Sequence, residues 1–527
     1  MRPRDIAHWL FAPDDRNYLW ARWLFLRALG LIFFSAFYSF YFQVDGLIGP
    51  HGILPAQEFL AYLAGHLGAA RYWYAPSLFW LSSSTAALKA ACWAGMTASL
   101  LMTFNLWPQG MDLLCTALYL SFISTLQVFS SYQSDGMLLE AGFITFFFAP
   151  SGLRPGLGEK DPPSRTSRFL LLFLVFRIYF ESGLAKMLSG DPHWRRFTAM
   201  DDYYSNGPLP TWIGYYAQQL PHWFHAGCTL LTLAVELALV WMFFLPRRIR
   251  IAGFWILCVF QIGIILTANY TFINYITIAL TFLLLDDEHL EWLLRKCPLP
   301  AFGHPPPRWG REQSSLPLPS RERDGERGVR HTLWLWLSGF FLGWVFYANA
   351  ALLMEMVLPA LPLPLAPAGI LEPFRFANRF GLFAVMTPAR NEIEFQGTRD
   401  GKTWVPYPFR YKPQDPRDPP RIYAPYQPRF DWNLWFASLE PWRQNPWVVH
   451  VEELLLENEP SVLALFRSNP FADAPPRTVR TVYWQYWFTA LAEKRRDGLW
   501  WRREERNIYA PTLERRPDGK IVATAMP

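Results

Sequence analysis

Long apolar runs constrain this chain more than any other feature. Eight of them, at about 23–42, 76–106, 112–130, 169–187, 224–245, 249–267, 272–285 and 332–358, read as membrane-spanning helices. A span needs about 20 apolar residues. A ninth run, 137–149, is short and reads as a thin crossing or a re-entrant piece. The 76–106 run is too long for one upright helix, which suggests an interfacial helix followed by a span. The first run starts near Trp23 and has the length of a span rather than of a cleaved leader.

Charge supports this division. Only 17% of the 527 residues are charged, against about a quarter in soluble domains. The deficit is confined to the apolar part, because residues 371–527 hold 42 charged residues in 157. A wholly soluble enzyme, a disordered chain and a fibrous repeat are therefore excluded. The expected fold is a polytopic α-helical membrane protein of about nine spans with a C-terminal extramembrane domain of α+β or β-rich type.

Lysine and arginine in the loops orient the spans. Arg2, Arg4, Arg16 and Arg22 precede the first. Arg154, Lys160, Arg165 and Arg168 fall between the fourth and fifth, and Arg247, Arg248 and Arg250 between the sixth and seventh. Eight more basic residues lie in 286–331. All of these share one side only if 137–149 crosses. The expected organisation is then a cytoplasmic N-terminus (1–22), a transmembrane core (23–285), a basic disordered cytoplasmic linker (286–331), a final transmembrane helix (332–358) and an outward-facing domain (371–527). Such a chain sits in a bacterial inner membrane with its C-terminal domain in the periplasm, or in the endoplasmic reticulum membrane of a eukaryote. The net charge of +6 is explained by topology and by contact with anionic membrane lipids, so no nucleic-acid partner is expected.

In the outward domain, Asn391–Phe395 alternates, and Asp400-Gly401 leads into Thr403-Trp404-Val405, a hairpin signal. Pro406–Pro428 is proline-rich and must be mostly loop or extended. Helical patterns follow at about 432–439 and 447–467, and Arg477–Phe488 reads as a strand. Nine tryptophans lie in residues 371–527, enough both to pack a core and to make flat contact surfaces.

Ionisable residues inside spans are costly and need a partner or a purpose. Arg177 and Glu181 are four apart, which permits a structural membrane pair. Lys186 lies on another face near the outward end, where it could snorkel to the surface. Asp135, Glu140 and Asn269 fall near the same outer surface, so a composite site is conceivable, as is a network that merely ties helices together. Asn269-Tyr270-Thr271 fits a glycosylation acceptor but lies against the membrane. His222 and His225 lack a third ligand, so no metal is expected. The five cysteines form no CxxC motif, and no cofactor motif is present.

Several stretches resemble the lipase maturation factor family: Tyr132 to Phe143, Phe176-Arg177 through Gly183-Leu184-Ala185-Lys186, Trp194-Arg195 with Met200-Asp201, Pro208-Leu209-Pro210, His222 to His225, Thr267 to Tyr275, and Tyr426 to Ala437. The resemblance implies a membrane protein whose outward domain helps secreted lipases reach their active state. A secreted lipase would be the client protein, and Arg429, Asp431, Trp432 and Trp435 the residues that contact it. Arg429 and Asp431 could equally be a buried pair, with Asp431 capping a helix. More distantly, Gly183, Lys186 and Trp194 resemble a motif of the vitamin K-dependent γ-carboxylase-like (HTTM) superfamily. That resemblance implies a membrane enzyme acting on a quinone or lipid, with Lys186 as base and Asp135, Glu140, Glu181 and Asn269 nearby.

Three classes follow: a non-catalytic maturation or folding factor, a quinone- or lipid-using enzyme, and a transporter. No inverted repeat is visible and the exported domain is large, which disfavours the transporter. The two surviving classes make opposite demands on Lys186. The outward domain is also expected to fold down onto residues 188–223, because both surfaces are rich in Tyr, Trp and Pro.

Overall fold

The computed structural model describes residues 16–296 and 324–525. The start of the expected cytoplasmic N-terminus and the middle of the expected linker, with Cys297, lie outside the described residues. The linker's two flanks are helical, at Asp287–Lys296 and from Asp324 onward.

Each of the nine apolar runs is helical over most of its length. The main helices are α1 (Leu19–Ile48), α2 (Thr85–Thr103), α3 (Pro108–Ile123), α4 (Gln133–Phe146), α5 (Arg165–Leu188), α6 (His222–Leu237), α7 (Arg247–Thr267), α8 (Ile273–Thr281) and α9 (Asp324–Val357). Four segments are long and apolar enough to cross a membrane by length and composition: Leu19–Ile48, His222–Phe244, Arg247–Thr267 and Leu333–Val357. These are four of the about nine spans expected. The helices α3, α4 and α8 are short, and α5 carries Arg177, Glu181 and Lys186 within its apolar run.

Local sequence explains the boundaries. Ser84 caps α2 by accepting from the Ala87 N–H, and Ser164 caps α5 by accepting from Ser167 N–H. The long 76–106 run breaks at Ser77 and Ser82–Ser84, leaving a single turn, Leu78–Trp80, before α2. Asp135 falls in the first turn of α4 rather than in the loop before it.

The C-terminal region is α+β. Its antiparallel sheet contains β1 (Arg390–Thr398), β2 (Val405–Pro406), β3 (Thr478–Phe488), β4 (Trp501–Ile508), β5 (Thr512–Arg515) and β6 (Ile521–Ala525). The strand order is β2-β1-β3-β5-β6, with β4 also paired to β3. The expected hairpin forms, with Gly397 opposite Val405. At its turn Asp400 accepts from the Lys402 and Thr403 N–H groups, and Gly401 has φ +71°. Helices α10 (Arg429–Ala437) and α11 (Trp447–Leu456) lie against the sheet. Ser438, just past α10, donates to the Asn391 carbonyl of β1, and the Thr481 hydroxyl of β3 donates to Glu452 of α11.

One apolar core runs without interruption from the helices into the sheet region, from Phe25 and Phe33 through Tyr132 and Phe430 to Val451 and Val479. A smaller aromatic cluster joins Tyr215 of the 188–223 loops to Phe488, Trp500 and Trp501. The C-terminal region does fold down onto those loops. Tyr215 donates to the Thr489 carbonyl at 3.0 Å, and Arg390 donates to the carbonyls of Ser205 and Pro208 at 2.9 and 3.1 Å.

Candidate functional site: a charged seam under the C-terminal region

After α9 the chain runs from Phe376 to Thr387 without helix or strand, laid across the end of α5. Such a strap has no ladder partners for its backbone groups, and where it is covered they must be paired by side chains. The helical core supplies them. Arg177 donates to the Asn378 carbonyl at 2.9 Å, and Glu181 accepts from the Phe380 N–H at 2.8 Å. Lys186 donates to the Leu382 carbonyl at 2.8 Å. Further along, the Trp194 indole donates to the Phe383 carbonyl at 3.0 Å and Asp191 accepts from the Met386 N–H at 2.6 Å. Asn206 donates to the Thr387 carbonyl at 2.7 Å.

The charges under the strap are paired. Arg177 is fully buried and lies between Glu140, to which it donates, and Glu181 at 3.7 Å. The expected pair is therefore a group of three, with Glu140 as the closer partner. Glu140 also accepts from Asn349 of α9 and from Asn378 of the strap, each at 3.0 Å. Lys186 does not snorkel. It is 2% exposed and bridges to Glu236 of α6 at 2.9 Å. Glu236 is a lone carboxylate in an apolar run, and the rule that flagged Glu181 would have found it.

Asp135 belongs to a different network. It accepts from Arg429 through two bonds of 2.7 and 2.8 Å and from the Tyr119 hydroxyl at 2.5 Å. Arg429 also donates to the Phe129 carbonyl at 2.6 Å. A paired, planar fork of this kind is the strongest geometry available to a buried arginine. Asn269 forms a third network. Its amide donates to the carbonyls of Leu209 and Arg421 at 3.0 and 2.7 Å, and its oxygen accepts from the Tyr423 and Ala424 N–H groups. With its nitrogen so used, Asn269 is not displayed as a glycosylation acceptor. Asp135, Lys186 and Asn269 therefore share no hydrogen bond.

The four residues expected to meet a client are buried. Arg429 is fully covered, and Trp432 and Trp435 are 8% and 6% exposed. Both tryptophans lie on α10, with the sheet on one side and Tyr132 against Trp432 on the other. Asp431 does not cap its own helix. It accepts from the Tyr411 and Lys412 N–H groups at 3.1 Å each and so fixes the proline-rich loop. Burial pushes its carboxyl up to about 6, against the pull of those two N–H groups and Lys412. Burial likewise raises Glu452. A matching charged layer under the sheet joins Glu392 to Arg390 and, at 2.7 Å, to Lys412.

The histidine pair is also accounted for. His222 and His225 each approach Asp201 at 2.9 Å. Among the described residues no group of three or more His, Cys, Asp or Glu could hold a metal ion.

Comparison with known proteins gives one consistent result. A family model described as the lipase maturation factor transmembrane domain matches residues 20–292, and one described as the lipase maturation factor C-terminal domain matches residues 376–511. Lipase maturation factor 1 of Bos taurus is 30% identical, covering 94% of this chain and 89% of its own length. Lipase maturation factor 2 of Homo sapiens is 31% identical over 93% of this chain and 82% of its own. Lipase maturation factor 1 of Mus musculus is 32% identical over 93% and 87%. No solved structure matches.

Proposed function

This chain belongs to the lipase maturation factor family, and from that premise we propose that it is a membrane-bound factor that helps a secreted lipase reach its active, assembled state. It acts by presenting a rigidly held C-terminal region rather than by chemistry of its own. The observation that carries this reading is the use made of Lys186. Its ammonium is occupied by Glu236, the Leu382 carbonyl and, more distantly at 3.5 Å, the Ser182 carbonyl. A base that takes protons from a substrate needs a free, reachable nitrogen, whereas this one is bound into the strap. The carboxylase-like reading rests on the resemblance of Gly183, Lys186 and Trp194, and the Trp194 ring, 5.1 Å from the Lys186 ammonium, encloses that nitrogen further.

Arg429, Asp431, Trp432 and Trp435 then serve the client indirectly, by holding the sheet and the proline-rich loop in place. The finer topology belongs to the same proposal. All nine helices cross, the N-terminus is cytoplasmic and the C-terminal region faces outward, toward the periplasm of a bacterium. The one-sided distribution of basic loops supports that orientation.

The test is co-expression with a secreted lipase in a host lacking the chain. The proposal expects normal lipase protein but low specific activity without the chain, restored by wild type. Equal specific activity with and without it would overturn the proposal.

A further inference from the structure

Between α1 and α2 the chain is apolar yet poorly covered. The helix Ala56–Leu67 buries only Ala56 and Leu60, and the turn Arg71–Tyr74 buries nothing. Tyr62, Tyr72, Trp73 and Tyr74 are exposed, and Leu81 is 88% exposed. No acidic residue occurs between Glu58 and Asp112, whereas Arg71 and Lys89 are basic. Arg71 lies over the rings of Tyr72 and Trp80. Exposed Tyr and Trp with basic neighbours and, after Glu58, no acidic ones is the composition of a membrane–water interface.

The position agrees. The segment starts where the spanning helix α1 ends, and exposed aromatics continue from it along the helix sides. Trp93 of α2 is exposed and lies 5.4 Å from Tyr41 of α1. Between the helix Ala56–Leu67 and the turn Leu78–Trp80 is a cleft of about 400 Å³. Leu60, Ala61, Ala64, Phe79, Trp80 and Leu81 line it, together with Ser82, Ser83 and Ser84, which precede α2. The far edge reaches the C-terminal half of the chain, since Trp73 packs on Phe374 at 4.9 Å, just before the strap.

We propose that residues 56–84 dock on the bilayer leaflet that meets the Ile48 end of α1, with one phospholipid acyl chain seated in this cleft and its headgroup at Ser82–Ser84. The Trp73–Phe374 contact then sets the height of the strap above that leaflet. The proposal rests on the reading of α1 and α6 as spans.

The test places single cysteines at Tyr62, Trp73 and Leu81 in the full chain with its own five cysteines replaced. Each is labelled with a small fluorophore in vesicles of phosphatidylcholine carrying brominated acyl chains. Leu230→Cys, on the exposed side of α6, reports the span, and Ala523→Cys, on β6, reports water. Positions 62, 73 and 81 are expected to lose emission, as position 230 does, with position 523 unchanged. Quenching at 230 but not at 62, 73 or 81 overturns the proposal while leaving the spans intact. No quenching at 230 removes the spans and the proposal together. Protection of 73 and 81 only after a lipase is added makes the surface a client site and also overturns it. Should the cysteine-free chain fail to fold, a photoactivatable phospholipid crosslinked to the native chain reads the same question. Adducts within 57–84 are expected, and adducts confined to the spans contradict the proposal.

Discussion

At Arg429 and Asp135 two opposite charges are taken wholly out of water, one from the C-terminal region and one from α4. Desolvation of such a pair costs several kcal/mol, and the pair persists because most of its remaining groups find partners, the Arg429 Nε being left without one. Here the Tyr119 hydroxyl, the Phe129 carbonyl and the Gln427 side chain supply them. Removing one partner strands the other. Arg429→Met is expected to destabilise by about 3–5 kcal/mol, read as a lowered unfolding midpoint in detergent. The double variant with Asp135→Leu is expected to recover much of that loss. Asp431 gives a pH signature. Its folded carboxyl, at about 6, lies above the ordinary 3.8, so the folded state holds its proton more tightly than the unfolded state. The stability it contributes is complete below about pH 4 and is lost as pH rises through about 6. Asp431→Asn keeps the acceptor for Tyr411 and Lys412. It is expected to flatten the decline in thermal midpoint across that window and to match or exceed wild type at pH 7.5. An unchanged slope would place the titration elsewhere.

Among the elements, the strap and α1 show how closely the two halves of the chain meet. Gly46, near the end of α1, lies against the Ser461 carbonyl, and an added methyl would collide with that backbone oxygen and with Leu465. Gly46→Ala is therefore expected to loosen the C-terminal region, seen as faster limited proteolysis within 457–475, without loss of the helical core. Local features were legible in the sequence. The Asp400-Gly401 hairpin forms because its chemistry lies within a few residues, and the Arg177–Glu181 spacing announced a pair because it is one helical turn. Lys186 was misread as a snorkelling residue because its partner Glu236 lies fifty positions away on another helix. Trp432 and Trp435 suggested a contact surface because nothing within 426–437 reveals that the sheet and α4 enclose α10. Length and apolarity alone single out four of the expected spans for a related reason. The helices α3, α4 and α8 are shielded by their neighbours and need neither the length nor the uniform apolarity of a lipid-facing span.

For the whole molecule, the helical core and the C-terminal region are joined by a continuous apolar core and by buried charges from both sides. Residues 371–527 alone would expose the face that receives Asp135, Glu181, Lys186 and Asp191. That fragment is expected to be insoluble or molten, checked by near-ultraviolet circular dichroism. A cooperative fold for it would show that the seam is dispensable. The central claim is that the buried charges hold structure and do no chemistry, so that lipase activation depends on the assembled surface. The most direct measurement is lipase specific activity in cells complemented with Lys186→Met, Glu236→Leu, or both together. The single changes are expected to lower the amount of chain in the membrane, each leaving an unpaired buried charge. The double change is expected to restore that amount and lipase activation with it. A double variant present at normal level but unable to activate the lipase would contradict the account and make Lys186 a reacting group.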